Sequence, residues 1–208
     1  MSAPYYQDSA VTLYHGRCED ILPTLEPVAQ IITDPPYGAE HLHLWDGLGE
    51  VAARVLKPGG LLLAFVGKTH LMQCANSLAE HLRYYWLCDV GYENAKRTVW
   101  GVRFWGQHRP ILVCSNGDPG EHRYANDLLY LSQDKRPDQT LHPWAQADDA
   151  ATYYIDRLSD PGETVLDPMC GTGTFVRAAA ALKRRAIGIE ADGDRFGVCA
   201  GLCAEGGV

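Results

Sequence analysis

The sequence predicts an α/β fold in which a mostly parallel, twisted sheet with one antiparallel strand carries helices on both faces. Three observations support this prediction. Short apolar runs alternate with amphipathic segments along most of the chain, as expected when helical crossovers join parallel strands. Several of these runs end at proline or glycine, which interrupt regular structure. A glycine-rich turn near residue 171 separates one apolar run from a helical segment.

The first half of the chain contains most of the predicted strands. Residues 11–16 alternate between apolar and polar side chains and end in glycine, which is typical of a short strand. Apolar residues at helical spacing predict a short helix over 18–25. Further strands are expected at 28–33, 61–66 and 84–90, with helices at 48–56 and 70–82. Residues 57–60 read Lys-Pro-Gly-Gly and are expected to end the helix before them.

The second half continues the alternation after a polar interruption. Ile111–Cys114 predicts a strand, and its short connection from the strand before it favours antiparallel pairing. Residues 115–141 lose their periodicity, so we expect a loop region with little regular structure. The remaining prediction is for helices at 151–158, 175–182 and 192–203 and for strands at 164–167 and 186–189.

Composition limits the class of protein. The 208 residues are 46% hydrophobic and 21% charged, which fits a single globular domain over 1–208. No long apolar stretch or basic leader is evident, so we expect a cytoplasmic protein. Seven scattered cysteines suit reduced core thiols, and no metal site is expected. A net charge of −8 argues against a protein that coats DNA, although arginines of the middle third could form a local basic patch.

The stretch that suggests chemistry follows the strand at 28–33. Asp34 stands at the carboxyl end of that strand, where open α/β sheets bind ligands. Pro35 and Pro36 end the strand abruptly and have no backbone N–H groups, and Tyr37 adds an aromatic ring. A carboxylate and a backbone carbonyl can accept two N–H bonds from a flat ligand with an exocyclic amine while the ring stacks on it.

A second motif combines a strand, a glycine-rich turn and a helix start. Gly171 and Gly173 follow the predicted strand at 164–167, so the backbone can come close to a ligand there. No third glycine stands where the dinucleotide fingerprint requires one. Glu190 ends the next strand about twenty residues later, in the position of an acid that accepts ribose hydroxyls in nucleotide-binding sheets.

These two motifs identify a family resemblance. Asp34-Pro35-Pro36-Tyr37 resembles the catalytic motif of the S-adenosylmethionine-dependent DNA amino-methyltransferases, which modify adenine N6 or cytosine N4, and the glycine-rich turn resembles their cofactor loop. The order of the two motifs is similar to that of the circularly permuted β-type.

The resemblance implies a Rossmann-like methyltransferase fold, S-adenosyl-L-methionine as cofactor and a base flipped out of duplex DNA. It implies catalytic roles for Asp34, Pro35 and Tyr37 and a substrate contact for Pro36. The cofactor contacts that it implies are Asp20, Asp167, Pro168, Met169, Cys170, Gly171, Thr172, Gly173, Thr174, Glu190 and Ala191.

Other positions leave alternatives open. The family usually has Gly-Asp after the first strand, with the acid near the cofactor's adenine, whereas Arg17 follows Gly16 here. Either Asp20 takes over that contact or the contact is absent. The side chains that follow the catalytic turn are candidates for the base pocket, although histidines in a loop are also typically just solvated. These candidates are His41, His43 and Trp45.

The resulting prediction is a site-specific DNA methyltransferase that acts on adenine N6, because Asp rather than Ser opens the tetrapeptide. Cytosine N4 is the first alternative. A catalytically silent partner subunit is another, motivated by Arg17 and by Gln146-Ala147, which replace a lysine-proline pair that the family often has after a pair like His142-Pro143. An RNA or small-molecule amine methyltransferase is the third. Segment 115–141 is too short for a separate target-recognition domain with its own core. We therefore predict a homodimer in which this loop of one subunit contacts DNA beside the active site of the other.

Overall fold

A nine-stranded sheet forms the centre of the protein. The computed structural model describes residues 3–92, 97–98, 102–131 and 148–205. Eleven strands lie in these ranges: β1 Tyr6–Gln7, β2 Val11–His15, β3 Val28–Thr33, β4 Leu56–Phe65, β5 Arg83–Tyr92, β6 Arg97–Thr98, β7 Trp105–Gly106, β8 His108–Ser115, β9 Leu128–Leu131, β10 Thr164–Asp167 and β11 Arg185–Glu190. The order across the large sheet is β1-β2-β11-β10-β3-β4-β8-β5-β9, and β6 pairs with β7 in a separate hairpin.

Six helices lie in the same described ranges, five between strands and one after β11. They are α1 Cys18–Ile21, α2 His43–Val55, α3 Leu71–Ala79, α4 Asp148–Leu158, α5 Thr174–Ala181 and α6 Gly193–Glu205. Short 3-10 turns add Leu22–Thr24, Ala39–His41 and Lys68–His70. In the part of the chain that the structure describes, no helix is long and apolar enough to cross a membrane.

The directions of the strands confirm the predicted fold class. Strands β2, β11, β10, β3 and β4 run parallel to one another, and β9 runs parallel to β5. The strand β8 is antiparallel to β5, as predicted from its short connection, and it is also antiparallel to β4. The two-residue strand β1 is also antiparallel to its neighbour β2.

Two hydrophobic clusters cover the two faces of the sheet. One contains buried side chains of α4, α5 and α6, among them Tyr154, Phe175 and Phe196. The other contains buried side chains of α1, α2 and α3, among them Trp45 and Leu78. Because every residue of β3 is buried, this strand is covered on both faces of the sheet. The residues that follow its end are therefore held in a fixed position.

The register brings two strand ends together at one edge. Leu166 of β10 lies opposite Ile31 of β3, and Val165 lies opposite Gln30. Both strands run in the same direction, so Asp34 after β3 and Asp167 at the end of β10 lie at the same carboxyl edge of the sheet. That edge is where an open α/β sheet binds its ligands.

Some predicted elements differ from the structure. The helix predicted at 48–56 begins at His43, and Lys57 to Gly60, expected to end it, belong to β4 instead. The pairing of β3 with β4 is irregular there, since Val28 faces Leu56 and Gln30 faces Leu61. Gly59 has a φ of 77°, a conformation that glycine adopts without strain. The glycine therefore shapes an irregular strand start rather than a helix stop.

The segment 115–141 was predicted to have little regular structure, but it contains β9. This four-residue strand pairs with the edge strand β5. Residues 132–147 lie outside the described residues, so the absence of a target-recognition domain stays a prediction. The helix predicted over 18–25 is shorter, because Pro23 allows only a 3-10 turn after α1.

Candidate active site

A cavity of about 630 Å³ opens at the carboxyl edge of the central strands. Its wall comes from the turns after β2, β3, β10 and β11 and from the starts of α2 and α6. The lining residues are Gly16, Arg17, Cys18, Glu19, Asp34, Pro35, Pro36, Tyr37, His43, Leu44, Pro168, Met169, Glu190, Ala191 and Arg195. The structure thus brings both predicted motifs, which are far apart in the chain, to one cavity.

The Asp34 carboxylate is held from two sides. The side chain of Arg109 donates a hydrogen bond from Nη2 to Oδ2 of Asp34 over 2.5 Å. The Tyr37 hydroxyl donates to Oδ1 of the same carboxylate. Arg109 also donates to the Tyr37 oxygen, so the three side chains form a closed triangle. A charged donor makes the bond to a carboxylate shorter and stronger than a neutral bond.

Arg109 is the member of this triangle that the sequence analysis did not single out for the site. It lies near the start of β8 and belongs to the arginines of the middle third that could form a local basic patch. Its guanidinium carbon lies 4.9 Å from the centre of the Phe65 ring and 5.2 Å from that of the Tyr37 ring. Burial alone would lower the pKa of Arg109, but the negative charge of Asp34 and the hydrogen bonds to Asp34 and to the Tyr37 oxygen raise it above its ordinary value. Arg109 is therefore a fixed cation behind the turn that follows β3.

Tyr37 points its ring toward the cavity and its hydroxyl inward. The residue is 41% exposed, whereas the hydroxyl lies between Asp34 and Arg109. Burial of this hydroxyl, and then the charge of Asp34, raise the pKa of Tyr37 above its ordinary value. The ring rests on Gly67, where a β-carbon would lie 3.3 Å from Cδ1 of Tyr37. The missing side chain at Gly67 therefore makes room for the ring.

The glycine-rich turn supports the cavity mostly from behind. Pro168 and Met169 line the cavity, whereas Asp167 and the residues from Cys170 to Thr174 are not part of its wall. Gly173 has a φ of 85°, and a β-carbon there would lie 2.5 Å from Sγ of Cys199 in α6. The glycine is thus required for packing of the turn against a helix. The predicted cofactor contacts of Cys170, Gly171, Thr172, Gly173 and Thr174 remain predictions.

Glu190 lies at the end of β11, as predicted, and its carboxylate is held by two backbone N–H groups. Its Oε2 accepts a 2.8 Å hydrogen bond from the Gly171 N–H, and its Oε1 accepts one of 2.8 Å from the Asp192 N–H. The side chain links the end of β11 to the glycine-rich turn. Glu190 and Ala191 both line the cavity, so a carboxylate with a fixed orientation stands in its wall.

Asp167 is fully buried beneath this wall. Burial, together with the charges of Glu190 and Asp34, raises the pKa of Asp167 to about 8 against the opposing effect of the Met169 N–H. That N–H donates to Oδ1 of Asp167 over 3.1 Å. The carboxyl group is therefore largely protonated at neutral pH, unlike an exposed aspartate.

The acid that lines the cavity near the first strand is Glu19, and the predicted cofactor contact of Asp20 stays a prediction. Asp20 is exposed and does not line the cavity, whereas Arg17, Cys18 and Glu19 do. A hydrogen bond from its own backbone N–H, and then the Arg17 side chain at 3.3 Å, hold the pKa of Glu19 below its usual value. Counting residues from the glycine could not distinguish neighbours that a short helix turns in different directions.

The candidates of the base pocket separate into two groups. His43 lines the cavity, and its Nδ1 lies 2.9 Å from the carbonyl oxygen of Glu40. His41 does not line the cavity, and Trp45 is 2% exposed within the cluster of α1, α2 and α3. The structure also adds Leu44 and Arg195, which sequence reasoning did not select. Among the described residues, no group of three or more metal-binding side chains is assembled.

Comparison with known proteins places this geometry in context. A sequence profile of the family described as DNA methylase matches residues 28–196. The Type II methyltransferase M.MjaI of Methanocaldococcus jannaschii is 64% identical over 102 residues, which cover 39% of this chain and 34% of that protein. The chain spans less than two thirds of the length of the curated relatives that it matches.

Two solved structures share the fold. The PvuII DNA methyltransferase, which is cytosine-N4-specific, superposes with a TM-score of 0.82 at 15% identity, covering 95% of this chain and 87% of that one. The complex of M1.HpyAVI with SAM has a TM-score of 0.73 at 22% identity, covering 91% and 97%.

Proposed function

Because this chain belongs to the DNA methylase family, we propose that it transfers a methyl group from S-adenosyl-L-methionine to the exocyclic N6 of an adenine flipped out of DNA. The observation that carries the proposal is the position of Asp34. This side chain follows the central strand β3 and lines the same cavity as Glu190 and Met169. One cavity therefore offers an acceptor for an amine beside an acceptor for a nucleoside cofactor.

The residues around the cavity fit S-adenosylmethionine. Backbone N–H groups hold the Glu190 carboxylate, and a fixed acid at a strand end suits the two hydroxyls of a ribose. M1.HpyAVI, a protein of the same fold, was solved with SAM. When bound, the cofactor supplies an electrophilic methyl group, and the protein holds and orients its reaction partner.

The catalytic turn can hold the target amine. An exocyclic amine on adenine is a poor nucleophile because its lone pair is delocalised into the ring. Asp34 accepts one of its N–H bonds and the carbonyl of Pro35 the other, which orients the nitrogen. Flipping the base costs a few kcal/mol, and stacking on Tyr37 returns about 1–3 kcal/mol of this cost. The partial negative charge of Asp34 faces the positive charge that develops on nitrogen.

The same arrangement would also serve N4 of cytosine. Both acceptors present an amine attached to an aromatic ring, so the hydrogen bonds of Asp34 hardly distinguish them. The PvuII DNA methyltransferase is cytosine-N4-specific and has this fold. We place adenine first because the catalytic tetrapeptide opens with Asp rather than Ser.

Two alternatives to this function stay open for the same cavity, a catalytically silent subunit and a methyltransferase with another substrate. A silent partner subunit was suggested by Arg17 and Gln146; Gln146 lies outside the described residues, and Glu19 stands beside Arg17 in the wall. A small-molecule amine would suit the acidic chain, whose net charge is −8, and an RNA substrate is the other form of this alternative. The homodimer, with loop 115–141 of one subunit beside the active site of its partner, remains part of the proposal.

Mass spectrometry of nucleosides tests the proposed function. Unmethylated DNA is incubated with S-adenosylmethionine carrying a deuterated methyl group and with the wild type, Asp34→Ala or Glu50→Gln. Glu50 is an exposed acid of α2 that pairs with Arg54 over 2.5 Å, so it serves as a matched control. We expect labelled N6-methyldeoxyadenosine with the wild type and the control, and at least about 100-fold less with Asp34→Ala.

Cofactor affinity, measured by calorimetry, should remain nearly unchanged in Asp34→Ala. Labelled N4-methyldeoxycytidine would move the acceptor to cytosine. In a parallel incubation with RNA, labelled RNA beside unlabelled DNA would move the substrate to RNA. Cofactor binding without any methylated product would instead support the silent partner, and an equal loss of cofactor binding in Asp34→Ala would mean that Asp34 does not act on the base.

A further inference from the structure

Arg109 makes a direct ion pair with the carboxylate that the proposed function assigns to the target amine. The bond from Nη2 to Oδ2 of Asp34 is 2.5 Å long, and the two side chains are only 14% and 19% exposed. Fixing a guanidinium in such a place removes most of its hydration, which costs several kcal/mol per ion before attraction offsets it. A pair of apolar side chains would stabilise the fold as well or better. Stability alone therefore gives little reason for this arginine.

The guanidinium is anchored from behind by the protein core. It lies 4.9 Å from the centre of the Phe65 ring. Phe65 is 2% exposed and stacks on Phe175 at 5.4 Å with an angle of 17°. Cation–π contacts with a buried ring hold a charge in place. Arg109 cannot leave Asp34 without losing this contact.

The direction of β8 explains how this residue reaches the site. Since β8 is antiparallel to β4, Ile111 faces Phe65 at the carboxyl edge of the sheet, and Arg109 precedes Ile111 by two residues. Arg109 is absent from the residues that line the cavity, whereas Asp34 and Tyr37 belong to them. The arginine therefore contacts the catalytic turn from the sheet and leaves the side that faces the cavity accessible to a ligand.

We propose that Arg109 is a positioning residue that fixes the Asp34 carboxylate and the Tyr37 hydroxyl so that Oδ1 of Asp34 is presented to the target amine. This inference rests on the proposed function. The terminal torsion of an aspartate is broad, so a carboxylate without a partner samples many orientations. Arg109 binds Oδ2 and also donates to the Tyr37 oxygen, whose hydroxyl binds Oδ1. Both oxygens of Asp34 then have one defined orientation.

Three variants of Arg109 separate its charge from its hydrogen bonds. Arg109→Met keeps an apolar stem against Phe65 and loses both properties, Arg109→Gln keeps an N–H donor, and Arg109→Lys keeps the charge. We expect kcat to fall by about 100-fold in Arg109→Met, by less in Arg109→Gln and by about tenfold or less in Arg109→Lys. The KM for cofactor should change by less than about twofold. Arg83→Met is the matched control, because Arg83 pairs with Asp118 at the opposite end of β5.

A second measurement asks whether Arg109 acts through Asp34. In the Asp34→Ala background, Arg109→Met should lower the residual kcat by only about threefold or less, since no carboxylate is left to position and the arginine holds only Tyr37. The melting temperature of the protein without cofactor gives a readout that needs no activity. Arg109→Met and Asp34→Asn should each lower it, and the double variant should lower it by less than the sum.

The possible failures have different meanings. If the wild type binds cofactor but methylates nothing, the proposed function is wrong. If the wild type methylates DNA and folded Arg109→Met has an unchanged kcat, the inference alone is wrong. Additive losses of kcat in the double variant would also overturn it, because they would mean that the arginine acts independently of Asp34. Equal losses in Arg109→Lys and Arg109→Met would exclude a role for the charge in positioning.

Discussion

Replacing Asp167 by asparagine should make the stability of this protein much less sensitive to pH. Burial raises the pKa of Asp167 to about 8, compared with 3.8 for an ordinary aspartate. Between these two pH values the folded protein keeps a proton that the unfolded chain has released. Raising the pH therefore favours the unfolded chain. The protonated Asp167 side chain makes its full contribution to the free energy of unfolding below pH 3.8, and this contribution is lost as the pH rises to about 8. Asparagine cannot ionise and has no such dependence.

The size of the effect follows from the two pKa values. Each pH unit in this window corresponds to about 1.4 kcal/mol of unfolding free energy. From pH 5 to pH 8 the free energy of unfolding of Asp167→Asn should therefore gain about 4 kcal/mol on that of the wild type. The amide oxygen can still accept the hydrogen bond from the Met169 N–H, which is 3.1 Å long in the wild type. The substitution thus removes the charge and keeps the contact.

Urea unfolding followed by tryptophan fluorescence measures this difference. Both proteins are unfolded without cofactor at pH 5, 6, 7, 8 and 9 and at constant ionic strength. Groups that titrate equally in both proteins cancel in the difference. Glu50→Gln, an exposed acid-to-amide change on α2, should stay at a constant offset from the wild type. A constant offset for Asp167→Asn as well would refute the reasoning, because it would mean that Asp167 is already ionised in the folded protein at pH 5.

Other predictions concern the walls of the cavity. Tyr37→Phe keeps the ring but removes the hydroxyl that binds Asp34. Steady-state kinetics should therefore give a kcat about tenfold lower with little change in KM for DNA, and the kcat of Tyr37→Ala should fall much further. Gly67→Ala places a methyl group 3.3 Å from the Tyr37 ring, and DNA carrying 2-aminopurine at the target position should report weaker flipping by a smaller fluorescence increase, at unchanged melting temperature. Gly173→Val puts a β-carbon against Sγ of Cys199 at a φ of 85°. The free energy of unfolding, measured in urea, should fall by about 2–4 kcal/mol, and calorimetry should detect no cofactor binding. Adding Cys199→Ala should restore part of the stability.

The central strands were predictable because local sequence determines them. Apolar runs bounded by proline or glycine predict β3 and β10 with the same first and last residues that the structure has. The start of α2 was missed, since glycines at 47 and 49 lower helix propensity there. Burial of Trp45 and Leu48 in one hydrophobic cluster outweighs that propensity. The strand β9 is four residues long and depends on pairing with β5, which no local pattern reveals.

The site could be predicted only as far as its motifs reach. Asp34, Met169 and Glu190 belong to contiguous patterns, and the structure brings them to one cavity. Arg109 is 75 residues away from Asp34 in the chain, so spacing carries no information about their contact. One signal was available in the sequence, because Arg109 directly precedes the apolar part of β8. An antiparallel strand has its amino end at the edge where the parallel strands have their carboxyl ends, which is the ligand-binding edge. Reading that signal requires the topology first.

The order of strands also has a consequence for synthesis on the ribosome. In the finished sheet, β11 and β10 lie between β2 and β3, yet β10 begins at Thr164, which is 131 positions after the end of β3 at Thr33. At about 5–20 residues per second, this interval lasts roughly 7–26 s. During that time β3 lacks one of its neighbours, and the half of the cavity that contains Glu190 does not yet exist. A nascent chain therefore cannot close the cavity until nearly all of the described residues have emerged.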